Sequence, residues 1–123
     1  MENLIRVKVF EPEKIPQFKI MENTLEDFQS TVGGLIEVVT LPTEAGQPKI
    51  VLIVNEEGKL LCLKPCLLLK DREAVTAFDR REDYLCGTVI ACRAEGEEFA
   101  SLQDEDIPVL CRWLGRKAAL VCK

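Results

Sequence analysis

Apolar and basic side chains alternate through LIRVKVF, residues 4–10, which is the period-two pattern of a strand with one buried face. Pro12 and Pro16 then bar both a helix and a central strand, so EPEKIP reads as a turn. Alternation resumes in QFKIM, residues 17–21, giving a second strand. The period changes in NTLEDFQSTVGG, residues 23–34, where Leu25, Phe28 and Val32 share one helical face. Thr24 caps that helix, Asp27 three residues on completes a capping-box-like pair, and Gly33 and Gly34 supply a left-handed exit. LIEVVTL, residues 35–41, follows as a strand, and LPTEAGQP, residues 41–48, as a loop.

Two β-prone runs, KIVLIV (49–54) and KLLCLK (59–64), flank the tetrapeptide NEEG. This spacing predicts a hairpin: Asn55 opens the turn, Glu56 and Glu57 form its exposed centre, and Gly58 takes the left-handed position. LLLKDREAVTAFDRRED, residues 67–83, fits a short helix or an irregular excursion. YLCGTVIACR, residues 84–93, reads as one strand buried on both faces, and AEGEE as a turn. SLQDEDIPVLCRWLG, residues 101–115, begins a second helix with Ile107, Leu110, Cys111 and Leu114 as its apolar stripe. Pro108 is tolerated there because it falls in the first turn, and Gly115 ends or bends the helix. The expected architecture is α+β: a mostly antiparallel sheet opening ββαβ, similar to a β-grasp start, with a C-terminal helix packed on the sheet. A chain of 123 residues is expected to form a single domain, 1–123.

Composition narrows the function classes. With 47% hydrophobic and 30% charged residues the chain is ordinary globular material. A net charge of -5 leaves no basic surplus to displace counterions from phosphates, so no direct nucleic-acid partner is expected. The six cysteines (Cys62, Cys66, Cys86, Cys92, Cys111 and Cys122) include no Cys-x-x-Cys pair, and histidine is absent. A structural zinc site wants such short pairs, so neither a metal nor any other cofactor is expected. The cysteines sit mostly among Leu, Val and Ala, where a free thiol behaves as a small apolar group. The beginning, MENLIRVKVFEPEK, does not read as a signal peptide, and no run approaches the roughly 18 apolar residues of a membrane span. A reducing cytoplasm and no membrane are therefore expected.

Each chemical candidate is weighed against an ordinary structural role. Glu56 and Glu57 could serve as an acid–base pair, but turn chemistry accounts for every residue from 55 to 58. Gly33 and Gly34 follow a helix instead of preceding one, so they read as a helix stop and not a phosphate cradle. Among the acids of EGEEFASLQDED, Asp104, Glu105 and Asp106 join Ser101 where a helix N-terminus favours caps and negative charge. They also offer a face that a partner can read. Without histidine, Ser-His and Cys-His nucleophiles are excluded within this chain. Cys66, two residues past Lys64, is the thiol to test, although its apolar neighbours favour inert burial. Arg112 and Trp113 form a candidate interface anchor, with Trp113 lying off the apolar stripe.

Three blocks, EPEKIPQFKIMENTLEDFQSTVGGLIE, VNEEGKL and GTVIAC…EGEEFASLQDEDI, together resemble the uncharacterised domain-of-unknown-function family numbered 3846. The resemblance covers most of residues 5–107. It implies a cytosolic accessory protein of the kind found in bacteria, phages and integrated mobile elements. Where the family commonly runs Gly-Leu-Pro-x-Asn-Arg, this chain has Cys62, Leu63, Lys64, Pro65, Cys66 and Leu67, so a polar pair there is replaced by Cys-Leu. The leading expectation is a non-enzymatic protein that binds another protein, either an unidentified partner or itself as a homodimer. The alternatives are a small enzyme or ligand-binding domain using carboxylates or Cys66, and an acidic anti-host protein that blocks a nucleic-acid-binding surface.

Overall fold

A computed structural model of the chain describes residues 3–42, 49–58, 60–70 and 84–121. The structure is α+β, with mostly antiparallel strands and two helices, one of them C-terminal. In chain order the elements are β1 (Leu4–Phe10), β2 (Gln17–Glu22), α1 (Leu25–Val32), β3 (Ile36–Thr40) and β4 (Ile50–Asn55). They continue as β5 (Pro65–Leu69), β6 (Tyr84–Cys86), β7 (Val89–Glu95), β8 (Glu98–Ala100), α2 (Asp106–Arg116) and β9 (Ala118–Leu120). The expected opening ββαβ is present, with β2 and β3 at opposite edges of one sheet ordered β2-β1-β7-β4-β3, and β8 attached to β7. A second sheet has the order β6-β5-β9.

Strand alternation separates two cores. Val51, Ile53, Ile90 and Cys92 join Ile5, Val7 and Val9 under Phe28 and Val32 of α1. Ile50, Leu52, Val54, Val89 and Ala91 face the other way, against Cys66, Leu67 and Leu85 of the second sheet and Leu110 and Trp113 of α2. The first sheet is therefore the middle layer, and β4 is buried along its whole length.

Several expectations hold for local reasons. The Thr24 hydroxyl oxygen accepts from the Asp27 N–H at 3.1 Å, and Gly33 ends α1 at φ 87°. Asp27 accepts from the Glu22 N–H instead of closing a reciprocal capping box. Leu25 stays 57% exposed while Phe28 and Val32 enter the core.

Other expectations are corrected. KLLCLK does not form a strand or a hairpin with KIVLIV. After β4 the chain closes into tight turns, with Leu61 N–H donating to Glu57 C=O and Leu63 N–H to Gly58 C=O. Cys62, at φ 57°, is left-handed there, and Gly58 is not. YLCGTVIACR is two strands: Gly87, at φ 83°, takes the chain from β6 in one sheet to β7 in the other. Residues 67–69, expected in a short helix or an irregular excursion over 67–83, belong to β5, where they pair with β6 and β9. Most of the 41–48 loop, residues 71–83, Lys59 and Cys122 lie outside the described residues.

The second helix starts at Asp106, whose side chain is fully buried. Its carboxylate accepts from Arg93 Nε at 3.0 Å, from an Arg93 terminal nitrogen at 2.8 Å and from the Gln103 N–H at 2.7 Å. This two-pronged pair ties α2 to β7 and holds the Arg93 proton more tightly than in a free arginine. With Asp106 turned inward, Leu110 and Trp113 follow it on the buried face, and Cys111 is left exposed. The predicted stripe was rotated about the helix by one position. Ser101 is drawn away from the helix start and accepts the Arg6 N–H at 2.9 Å.

Replacing Asp106 by Ala leaves a mostly buried guanidinium without its main partner. It is expected to lower stability by about 3–5 kcal/mol in urea denaturation, whereas Asp104→Ala, whose side chain is 97% exposed, leaves the midpoint nearly unchanged.

Candidate functional site

The residues from Asn55 to Gly58 form a junction, not a hairpin tip. Asn55 is only 6% exposed, and both polar atoms of its carboxamide are hydrogen-bonded. Nδ2 donates to the Val32 carbonyl at the end of α1 at 3.1 Å, and Oδ1 accepts the Glu57 N–H at 2.8 Å. The Asn55 carbonyl accepts the Gly58 N–H at 3.2 Å, and the Glu56 N–H donates to Leu35 C=O at 2.8 Å. A buried amide is costly unless its groups are paired, so this pairing fixes α1, the α1–β3 link and the turn relative to one another.

Two glycines permit the approach. A Cβ on Gly34 would stand 3.1 Å from Asn55 Nδ2, and one on Gly58 would stand 2.7 Å from the Cys86 carbonyl oxygen. Gly58 is thus required by contact with β6 and not by a left-handed conformation.

A cleft of about 430 Å³ opens beside this junction. Glu37, Glu56, Glu57, Leu60 and Tyr84 border it, with Val39, Val54 and Leu85 among its lining. Glu56 and Glu57, read from sequence as a solvated turn centre, are exposed and share this concavity with Glu37 from β3. Its volume lies within the range of small-ligand sites, and a lining half apolar and half polar, with carboxylates at its border, suits a group with an alkyl stem and a cationic end.

The remaining candidates do not join it. Cys66 is 2% exposed, and burial, with added repulsion from Cys86 and Glu11, pushes its thiol up to about 12. Cys66 is therefore a neutral core thiol at pH 7, as is Cys92, also raised to about 12 by burial. Asp104 reaches Arg6 at 3.3 Å and Glu105 reaches Arg93 at 3.3 Å, both from the surface. Trp113 is 5% exposed and packs in the core, which removes it as a surface anchor, while Arg112 stays exposed. Asp106 and Trp113 thus turn inward, and Asp104, Glu105 and Arg112 outward.

Sequence reasoning missed Glu37, Tyr84 and Arg93. Arg93 had a usable signal, as the single charge within a run otherwise reading as buried strand. Among the described residues no group of three or more His, Cys, Asp or Glu is placed to hold a metal ion. No described helix is long and apolar enough to cross a membrane.

In comparisons with known proteins, the family model described as a domain of unknown function (DUF3846) matches residues 5–114. No curated protein and no solved structure matches the chain.

Gly58→Ala is expected to cost about 1–3 kcal/mol by forcing apart the turn and β6, measured as a shift of the urea midpoint. A pH effect follows from the thiols. The folded state keeps the Cys66 and Cys92 protons above the ordinary value of 9.0, up to about 12, while the unfolded chain releases them. Their contribution to stability is complete below pH 9 and is lost as pH rises towards 12. The fall in urea midpoint between pH 8 and pH 10.5 should be shallower in Cys92→Ala than in the wild type.

Proposed function

The chain belongs to the DUF3846 family, and from that premise we propose that it is a small cytoplasmic accessory protein that acts by binding another protein and not by catalysis. The observation that carries this reading is the cleft beside Asn55, where Glu56 and Glu57 border a lining that is half apolar and half polar. A lysine or arginine side chain presented by a partner protein matches it: the alkyl stem lies on the apolar part of the lining and the cation meets the Glu56 and Glu57 carboxylates. Tyr84, 37% exposed at the border, adds an aromatic face for the same cation. The Asn55 carboxamide bonds the Val32 carbonyl and the Glu57 N–H, which holds the wall in place. A link to mobile genetic elements rests on the family resemblance alone. The Asn-Arg pair common in that family is replaced here by Cys66 and Leu67, both core residues, so the reading does not use that segment.

A second reading has one observation in its favour, the meeting of Glu56 and Glu57 in a single concavity. On that reading the guest is a free organic amine. The two separate in calorimetry: one-to-one saturable binding of a polyamine favours the small ligand, and heat that vanishes at moderate salt favours the protein partner.

Immobilised wild-type protein is expected to retain a defined partner from host lysate. The double variant Glu56→Lys, Glu57→Lys should lose it by about tenfold or more, since like charges now face the guest, while keeping the wild-type urea midpoint. Retention of nothing by a folded wild-type protein contradicts the reading.

A further inference from the structure

The cleft lies where two sheet edges meet. β3 ends the first sheet on one side and β6 ends the second, and residues of both line the cleft together with Val54 of β4. Val39, Val54 and Leu85 form the buried part of the lining, each at most 5% exposed. The border carries Glu56, Glu57, Tyr84 and Leu60. A cationic guest accounts for the two acids and the tyrosine ring. It does not account for Leu60, an aliphatic side chain that is 78% exposed.

Leu60 is held in that position by the backbone around it. Leu61 N–H donates to Glu57 C=O at 2.8 Å and Leu63 N–H to Gly58 C=O at 2.9 Å, so bonded turns bracket it on both sides. Gly58 lies so close to β6 that a Cβ there would stand 2.7 Å from the Cys86 carbonyl oxygen. Two residues beyond Leu60 the chain passes Cys62 at φ 57°, a left-handed conformation adopted without glycine and therefore at a cost in strain. A single exposed leucine is ordinary on a protein surface. This one is fixed at the mouth of a concavity, beside two carboxylates and above an apolar floor.

We propose that the cleft receives a segment of the partner protein in which a lysine or arginine lies beside a large aliphatic residue. The cation meets Glu56 and Glu57, and the aliphatic side chain covers Leu60. This rests on the binding role proposed for the cleft and narrows the guest. A free polyamine or a polybasic tail satisfies the acids but leaves Leu60 in water. A wholly apolar segment covers Leu60 but takes water from the neighbouring carboxylates without supplying a cation, which is costly. A segment with both groups on one side matches the whole border, and a cleft of about 430 Å³ has room beyond one cationic side chain. Side chains two positions apart share a face of an extended segment. The recognised pattern is then a cation with an aliphatic residue at the second position before or after it.

Two blocked peptides of equal charge test this, each titrated into isotopically labelled protein and followed by NMR. Acetyl-Leu-Gly-Lys-Gly-Leu-amide carries both groups, and acetyl-Ser-Gly-Lys-Gly-Ser-amide carries the cation alone. The leucine peptide is expected to bind the wild type about tenfold more tightly, and to shift the Leu60 methyl signals. Leu60→Ser should bring the two peptides level. Leu61→Ser, which alters a leucine of the same turn that is 52% exposed and outside the cleft lining, should leave the gap intact. The double variant Glu56→Lys, Glu57→Lys should weaken both peptides. Equal binding of the two peptides to the wild type overturns the inference and leaves the cation reading standing. A gap that survives Leu60→Ser, or that Leu61→Ser also removes, overturns it as well. Binding of neither peptide overturns the inference together with the reading it rests on.

Discussion

A single buried carboxamide organises the region on which the functional reading rests. Asn55 ends a strand whose every residue is buried, and it arrives where α1 has just ended and a tight turn must begin. Each of those segments leaves backbone groups that need partners away from water. The side chain answers both, donating to Val32 and accepting from Glu57. The glycines at 34 and 58 let the backbone come close enough for this arrangement, one beside the carboxamide and one beside the Cys86 carbonyl. The acids that border the cleft are held by a wall whose own polar groups are already satisfied.

The opposite end of the molecule is fixed by a different device. Arg93 leaves β7 where that strand turns toward β8, and it grips Asp106 at the first position of α2. Glu105 and Glu95 reach the same guanidinium from the surface at 3.3 Å and 3.6 Å. Removing a hydrogen-bonded charge from water is expensive, so the pair adds little net stability as a whole but strongly resists losing one member. Its structural effect is directional. It sets which face of α2 looks inward, and so brings Trp113 beneath the second sheet.

The parts of the fold that could be read from sequence are those decided locally. Alternation in LIRVKVF and QFKIM, the Thr24 cap and the left-handed Gly33 all involve neighbours within a few residues, and all appear as expected. The failures involve distant partners. Gly58 looked like a left-handed turn residue, but its reason for being glycine is a carbonyl in β6, far along the chain. The apolar run after it suggested a strand. The strands that pair with β4 are β3 and β7, which left Leu60 and Leu61 exposed in a turn. Asp106 looked like helix-capping charge because its partner on β7 is invisible to periodicity, and the helix face was misassigned with it. β9, three residues long, has too short a pattern to register. For the cleft, Glu56 and Glu57 could be seen as a pair, while Glu37 and Tyr84 come from other strands that only folding brings near.

Asn55 holds the turn from 56 to 58 as a preformed wall and not as a solvated loop. Native-state hydrogen exchange of the Glu57 amide measures this directly, because that N–H is bound to the Asn55 carboxamide oxygen. Protection close to that of the Ile53 amide in the core of β4 is expected. Exchange of the Glu57 amide at the rate of an exposed turn would contradict it.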